Sequence, residues 1–168
     1  MLIFLGLYLG GNVMYGLWIA YYKGSPDPAT WAVTYQTSKV LHQVGYPVEM
    51  VENTQGPTVF LKNEGKIFLN IYEGCNGINV MIVFVAFLVA FGGQRKKLSW
   101  FLPAGIVIIH LSNIARIALL YFVAVGYQHY FYYVHKYVFT AAIYVIVFLL
   151  WVIWVVKING KSKTATTA

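Results

Sequence analysis

Four stretches of this sequence are too apolar to sit on the surface of a water-soluble fold. Segments 2–22, 75–92 and 137–156 contain no Asp, Glu, Lys or Arg, and segment 101–124 contains a single charge, Arg116. A helix that crosses the hydrocarbon of a bilayer needs about 20 predominantly apolar residues. The pattern predicts an all-α integral membrane protein: a four-span helical bundle forming one membrane domain over residues 1–168. Segment 75–92 is the shortest, and it connects two segments that span without difficulty. Segment 2–22 lacks a basic leader, and Ala20-Tyr21-Tyr22 is a poor cleavage site, so it reads as a retained helix and not as a signal peptide.

Hydrophobic residues make up 60% of the chain and charged residues only 10%, where soluble domains carry about 25% charged residues. This excludes disorder and a nucleic-acid binder built on a basic surface. The net charge of +7 reads as a topology signal. The loop 92–100 holds Arg95, Lys96 and Lys97, and the tail 157–168 holds Lys157, Lys161 and Lys163, with no acid in either. Lys and Arg near span ends mark the cytoplasmic side. The insert 23–74 and the loop 125–136 then face outward, on the far side of a bacterial cytoplasmic membrane. All five acids (Asp27, Glu49, Glu52, Glu64, Glu73) lie in that insert.

The insert reads as a small extracytoplasmic cap of one helix and a β-meander. Ser25-Pro26-Asp27-Pro28 supplies a cap and a first-turn proline. Trp31, Val33, Tyr35, Val40, Leu41 and Val44 then recur at helical spacing. Gly45 and Pro47 end a helix of about 28–44, expected to lie on or near the outer membrane surface. Short runs around 48–51, 58–61 and 66–72 follow, separated by turn residues. The last leads into Glu73-Gly74-Cys75-Asn76-Gly77, where the chain re-enters the membrane. The tail 161–168 is compositionally biased and is expected to be disordered.

Three groups carry chemistry. Cys75, the sole cysteine, excludes a disulfide, a thiolate zinc site or an iron–sulfur site made by this chain alone. It stands at the expected N-terminus of the second span. The helix dipole there lowers a thiol pKa and makes a nucleophile, while Gly74 and Gly77 let a substrate backbone approach. The competing reading is a small buried hydrophobe. Arg116 is the one charge inside a span, which is costly and marks function by default. Ser112 and Asn113 share its helical face, and the competing reading is a polar clamp between helices. Among the histidines, His135 directly precedes the last span at the depth of Cys75 and is placed to serve as its base. His110 lies near mid-span, His129 lies among interface aromatics, and His42 reads as a surface residue. Cys75, Arg116 and His135 belong to three spans yet all fall toward the outer boundary. A nucleophile, a cation for an oxyanion and a base are the parts of acyl transfer through a thioester.

At these residues the sequence resembles the exosortase/archaeosortase family of membrane cysteine transpeptidases, in a short branch resembling exosortase F. The motifs are Glu73-Gly74-Cys75-Asn76-Gly77-Ile78, Asn113-Ile114-Ala115-Arg116-Ile117 and His135, preceded by Gly45-Tyr46-Pro47-Val48-Glu49. The resemblance covers roughly 31–156. Many members have about eight spans where this chain has four, and many have Asp at the position of Lys136. The resemblance implies catalytic roles for Cys75, Arg116 and His135, with Asn113, Asn76 and Gly74 in support. It implies no metal and no organic cofactor. The implied partners are exported proteins with a C-terminal sorting signal made of a short motif, a transmembrane helix and a basic cluster. The resemblance also implies membrane lipid around the enzyme, a lipid or glycan as a possible acceptor, and no part for nucleic acid. A non-catalytic membrane subunit of a surface-polymer or secretion assembly is the alternative. A small transporter fits less well, because the polar residues do not line a path across the membrane.

Overall fold

The computed structural model describes residues 1–22 and 24–159. The expected tail beyond 159, with Lys161 and Lys163, lies outside the described residues.

Helix α1 (Leu2–Tyr21) buries none of its side chains. It leans on α3 (Ile78–Phe91) at Gly11, where an added Cβ would come within 2.8 Å of the Ile82 side chain. Helix α2 (Pro28–Gln43) begins as its sequence dictates. Asp27 Oδ1 accepts from the N–H groups of Ala29 (2.9 Å) and Thr30 (3.1 Å), and Pro28 occupies the first turn. The helix ends at Gly45, whose φ of 89° is left-handed. Gly45 N–H bonds the His42 carbonyl and Tyr46 N–H the Leu41 carbonyl, closing a Schellman motif.

The inward face of α2 differs from the expected one. Thr30, Val33, Thr34, Thr37, Ser38 and Leu41 are buried, whereas Trp31, Tyr35 and Val40 are exposed. Hydroxyls make this face buriable: Thr34 and Thr37 donate to the carbonyls of Thr30 (2.7 Å) and Val33 (2.8 Å).

Strands β1 (Glu49–Glu52), β2 (Val59–Asn63) and β3 (Lys66–Ile71) form an antiparallel meander in the order β1-β2-β3. Met50 pairs with Leu61 and Leu61 with Leu69. The β2–β3 turn uses Glu64 and Gly65, both at positive φ, the two-residue geometry that matches strand twist. A 3-10 turn, Glu73–Cys75, carries the chain from β3 to α3.

Helix α4 (Arg95–Gly126) is longer than the expected span 101–124. The expected loop 92–100 shrinks to 92–94, because Gly92 and Gly93, both at positive φ, turn the chain at once. Arg95, Lys96 and Lys97 therefore lie in the first helical turn, where long side chains reach water without breaking the helix. Helices α3 and α4 cross closely at Gly105, where a Cβ would strike the Phe84 ring.

The expected outer loop 125–136 is mostly helical. A 3-10 turn (Gln128–Tyr130), α5 (Phe131–Tyr133) and a π-helical turn (Val134–Val138) run into α6 (Phe139–Val152) and a second π-helical segment (Ile153–Asn159). No Gly or Pro interrupts 127–136, so the backbone re-enters a helix one residue after α4.

The protein is a mostly helical membrane protein. Among the described residues three helices are long and apolar enough to cross a bilayer: Leu2–Tyr21, Arg95–Gly126 and Gln128–Ile158. Helix α3 has 14 residues, about 21 Å at 1.5 Å per residue, less than the roughly 30 Å of hydrocarbon.

Two apolar cores result. One, around Phe84, Phe101, Val147 and Trp154, holds α3, α4 and the last helical run together. The other joins α2 and the sheet to the C-terminal half of α4 through Leu41, Leu61, Leu69, Ile117 and Tyr121, and Cys75 belongs to it.

Candidate active site

Cys75 is the last residue of the 3-10 turn and is 7% exposed. The turn is held on two sides. On one, Asn113 Nδ2 of α4 donates to the Cys75 carbonyl at 2.7 Å. Asn113 is itself buried and lies against Gly77, where a Cβ would be 3.2 Å from its Cγ. Gly77 also adopts φ 83°, so glycine is required there for both conformation and space.

On the other side Asn76 anchors a polar network. Its Oδ1 accepts from Ile78 N–H (3.0 Å), and its Nδ2 donates to Tyr15 Oη (2.7 Å) and Thr30 Oγ1 (3.2 Å). Tyr15 in turn donates to the Glu73 carbonyl (3.2 Å), and Thr30 Oγ1 donates to Asp27. The carboxylate that caps α2 thus also terminates a chain of bonds that ties α1 and α2 to the cysteine turn. Tyr15, Asp27 and Thr30 were not expected at the site. Asp27 carried a capping signal, whereas a tyrosine inside an apolar segment and a threonine on a helix carry none.

Arg116, three residues after Asn113, is on the same face of α4. Its Nε is buried with no hydrogen-bond partner among the described residues. Its charge acts on Cys75, on Tyr72 and on His135. His135 lies in the π-helical turn, its ring stacked on Phe131 with centroids 5.8 Å apart. Isolated π turns of this kind are frequent at functional sites.

Cys75 and His135 line one small cavity of about 30 Å³, walled by residues 69–71 of β3 and by Ile117, Leu120 and Phe131. That volume admits a water and excludes a side chain. The structure therefore brings Cys75, Asn113, Arg116 and His135 to one locus. The other histidines are elsewhere: His110 bonds Gln36 (2.6 Å), His42 bonds the Val48 carbonyl (2.9 Å), and His129 stacks edge-on with Tyr130. His42 thus braces the approach to β1 and is more than a surface residue.

The electrostatics correct one expectation. Cys75 precedes α3, which begins at Ile78, and Gly77 caps that helix. Burial is the dominant influence and raises the Cys75 thiol above its ordinary value. A hydrogen bond from the Tyr72 backbone and the Arg116 charge pull it down, and Glu73 pushes it up. In its free state the site favours the thiol, with Arg116 the cation positioned to favour the thiolate.

Tyr72 is a further residue the sequence did not single out. Its ring covers Gly74, where an added Cβ would strike the ring edge. Its phenol is pushed up first by the Cys75 charge and then by burial. Gly74 thus makes room for an aromatic ring beside the thiol, in addition to any role toward a substrate backbone.

No curated protein and no solved structure matches this chain. Its sequence does match the transmembrane exosortase family over residues 4–154, a range that takes in the cysteine turn, the Asn113–Arg116 face and the π turn of His135. The chain belongs to the transmembrane exosortase family.

Proposed function

We propose that this protein is a membrane-embedded cysteine transpeptidase that cleaves C-terminal sorting signals from exported proteins and transfers those proteins to a surface anchor. The observation that carries this reading is the cavity that Cys75 and His135 both line, with Asn113 bonded to the Cys75 carbonyl. Family membership supports it.

In this reading α3 crosses as a fourth, short span, and the sheet end of the bundle faces outward. The clustering of Arg95, Lys96, Lys97 and Lys157 near the opposite end supports that orientation, and Lys97 Nζ there donates to the Ile158 carbonyl at 2.8 Å. The thiol of Cys75 gives its proton to His135, and Sγ attacks the carbonyl carbon of the scissile peptide bond. Arg116 stabilises the oxyanion that forms. His135 returns the proton to the departing amine, leaving the exported protein as a thioester on Sγ. An amine or hydroxyl of a lipid or glycan then attacks the thioester, its proton passing through His135 to the sulfur. Asn113 and Asn76 hold the turn in place, while Gly74 admits the Tyr72 ring and Gly77 the Asn113 side chain.

The alternative is a non-catalytic subunit, favoured by the fact that Asn113 and Asn76 would lock the helices equally well without chemistry. Cys75→Ala separates the two. It is expected to abolish processing of the sorting signal with normal accumulation in the membrane. Unchanged processing would exclude the cysteine mechanism. If Arg116→Gln removed the protein from the membrane instead of stopping processing, the structural reading would stand.

A further inference from the structure

Beside the catalytic cavity lies a larger cleft of about 400 Å³. It is bounded by residues 66–68 of β3 on one wall and by Gln128, His129 and Phe131 on the other. The small cavity continues the same two walls, with residues 69–71 of β3 opposite Ile117, Leu120 and Phe131. Phe131 belongs to both. The two spaces lie in series along β3 from Lys66 to Ile71, about 17 Å at 3.3 Å per residue, with Cys75 in the lining of the inner one; joined by a bound chain, they make one trough.

Strand β3 is an edge, with β2 on one side only. An edge strand presents backbone N–H and C=O groups that a further extended chain can pair with. The cleft adds Lys66, Gln128 and His129, and among the described residues no carboxylate lines it, so its polar groups suit a segment rich in hydrogen-bond acceptors. The ends of the trough set a direction. A sorting signal that enters from outside and continues into the membrane as a helix runs toward the membrane at the scissile bond. Strand β3 runs the same way, from Lys66 down to the cysteine turn.

We propose that the segment upstream of the scissile bond binds as an extra strand, parallel to β3, with its side chains in the Lys66–His129 cleft. This rests on the transpeptidase reading and names how that enzyme grips its substrate. The pairing delivers the scissile carbonyl to Cys75 by register, because each residue of the added strand advances in step with one of β3. The small cavity must widen as the peptide enters, and the trough is open at its outer part, where Lys66, Gln128 and His129 are exposed.

The test uses the full chain in native membranes with Cys75 intact. The exported protein and its acylated residue are identified from the Cys75 thioester. The photocrosslinker benzoylphenylalanine then replaces Ile67 or Gln128, one at a time. Cross-links are expected to map about four to six residues upstream of the acylated residue, as strand spacing requires. Cross-links downstream of it, or none while the Cys75 adduct still forms, would overturn the proposal. Failure of the adduct itself would refute the transpeptidase reading and this inference with it. In a second arm, Lys66→Glu with His129→Glu is expected to slow Cys75 acylation about tenfold and to leave alkylation of Cys75 by iodoacetamide unchanged. Unaltered acylation would count against the polar cleft.

Discussion

Replacing Asn113 by alanine tests whether the face of α4 positions the Cys75 thiol, the proposed nucleophile. Asn113 Nδ2 is 2.7 Å from the Cys75 carbonyl, and the asparagine is 1% exposed. Its removal leaves a carbonyl in the Cys75 turn without its donor, which costs about 1–3 kcal/mol. If that energy is felt as misplacement of Sγ in the transition state, the acylation rate falls about 5- to 150-fold at 1.36 kcal/mol per tenfold. The assay is the rate of thioester formation on Cys75 in native membranes, normalised to the amount of folded protein. Asn113→Asp separates bonding from packing, because it conserves volume but sets a carboxylate oxygen against the Cys75 carbonyl. It is expected to be at least as slow as Asn113→Ala. Acylation within twofold of the parent in Asn113→Ala would refute the positioning argument. A fast Asn113→Asp beside a slow Asn113→Ala would show that the side chain merely fills space.

Tyr15→Phe removes the hydroxyl between Asn76 and the Glu73 carbonyl. At about 0.5–1.5 kcal/mol for each of the two hydrogen bonds lost, it should slow acylation at least several-fold in a kinetic assay and leave membrane accumulation intact. Gly77→Ala forces a Cβ into φ 83° and against Asn113. A cost of about 1–2 kcal/mol for the left-handed conformation predicts a lower melting temperature in detergent together with slower acylation. The pH dependence of Cys75 alkylation by iodoacetamide should follow the thiolate. Burial raises the thiol pKa, so the midpoint should lie above the ordinary thiol value, and Arg116→Gln should move it higher by removing the attracting charge. A midpoint below the ordinary value, or one indifferent to Arg116→Gln, would contradict the electrostatics described.

The proposed nucleophile and the cation proposed for it were legible because each breaks a local rule. Cys75 lies between glycines where an apolar segment begins, and Arg116 is a charge inside one. Strands β1 to β3 were legible from the turn residues between them, and the start of α2 from Asp27 and Pro28. The inward face of α2 was not. Thr30, Thr34 and Thr37 look polar in sequence, yet their hydroxyls are satisfied by partners close by, so they bury while Trp31 and Tyr35 face out. The network from Asp27 through Thr30, Asn76 and Tyr15 draws on three elements whose proximity only packing creates. The segment that carries His135 was read as part of a loop, 125–136, because it falls between two apolar spans. No breaker was present to end the helix, and the π turn that carries His135 has no sequence signature.

The most direct test of the account is capture of the acyl-enzyme. Membranes containing the intact chain are quenched in acid, and the Cys75 peptide is analysed by mass spectrometry with and without neutral hydroxylamine. The account predicts a hydroxylamine-sensitive adduct on Cys75 that corresponds to the C-terminus of a cleaved exported protein. That adduct should be absent from Cys75→Ala and strongly reduced in Arg116→Gln. A Cys75 that stays unmodified while the sorting signal is still cleaved would contradict the account.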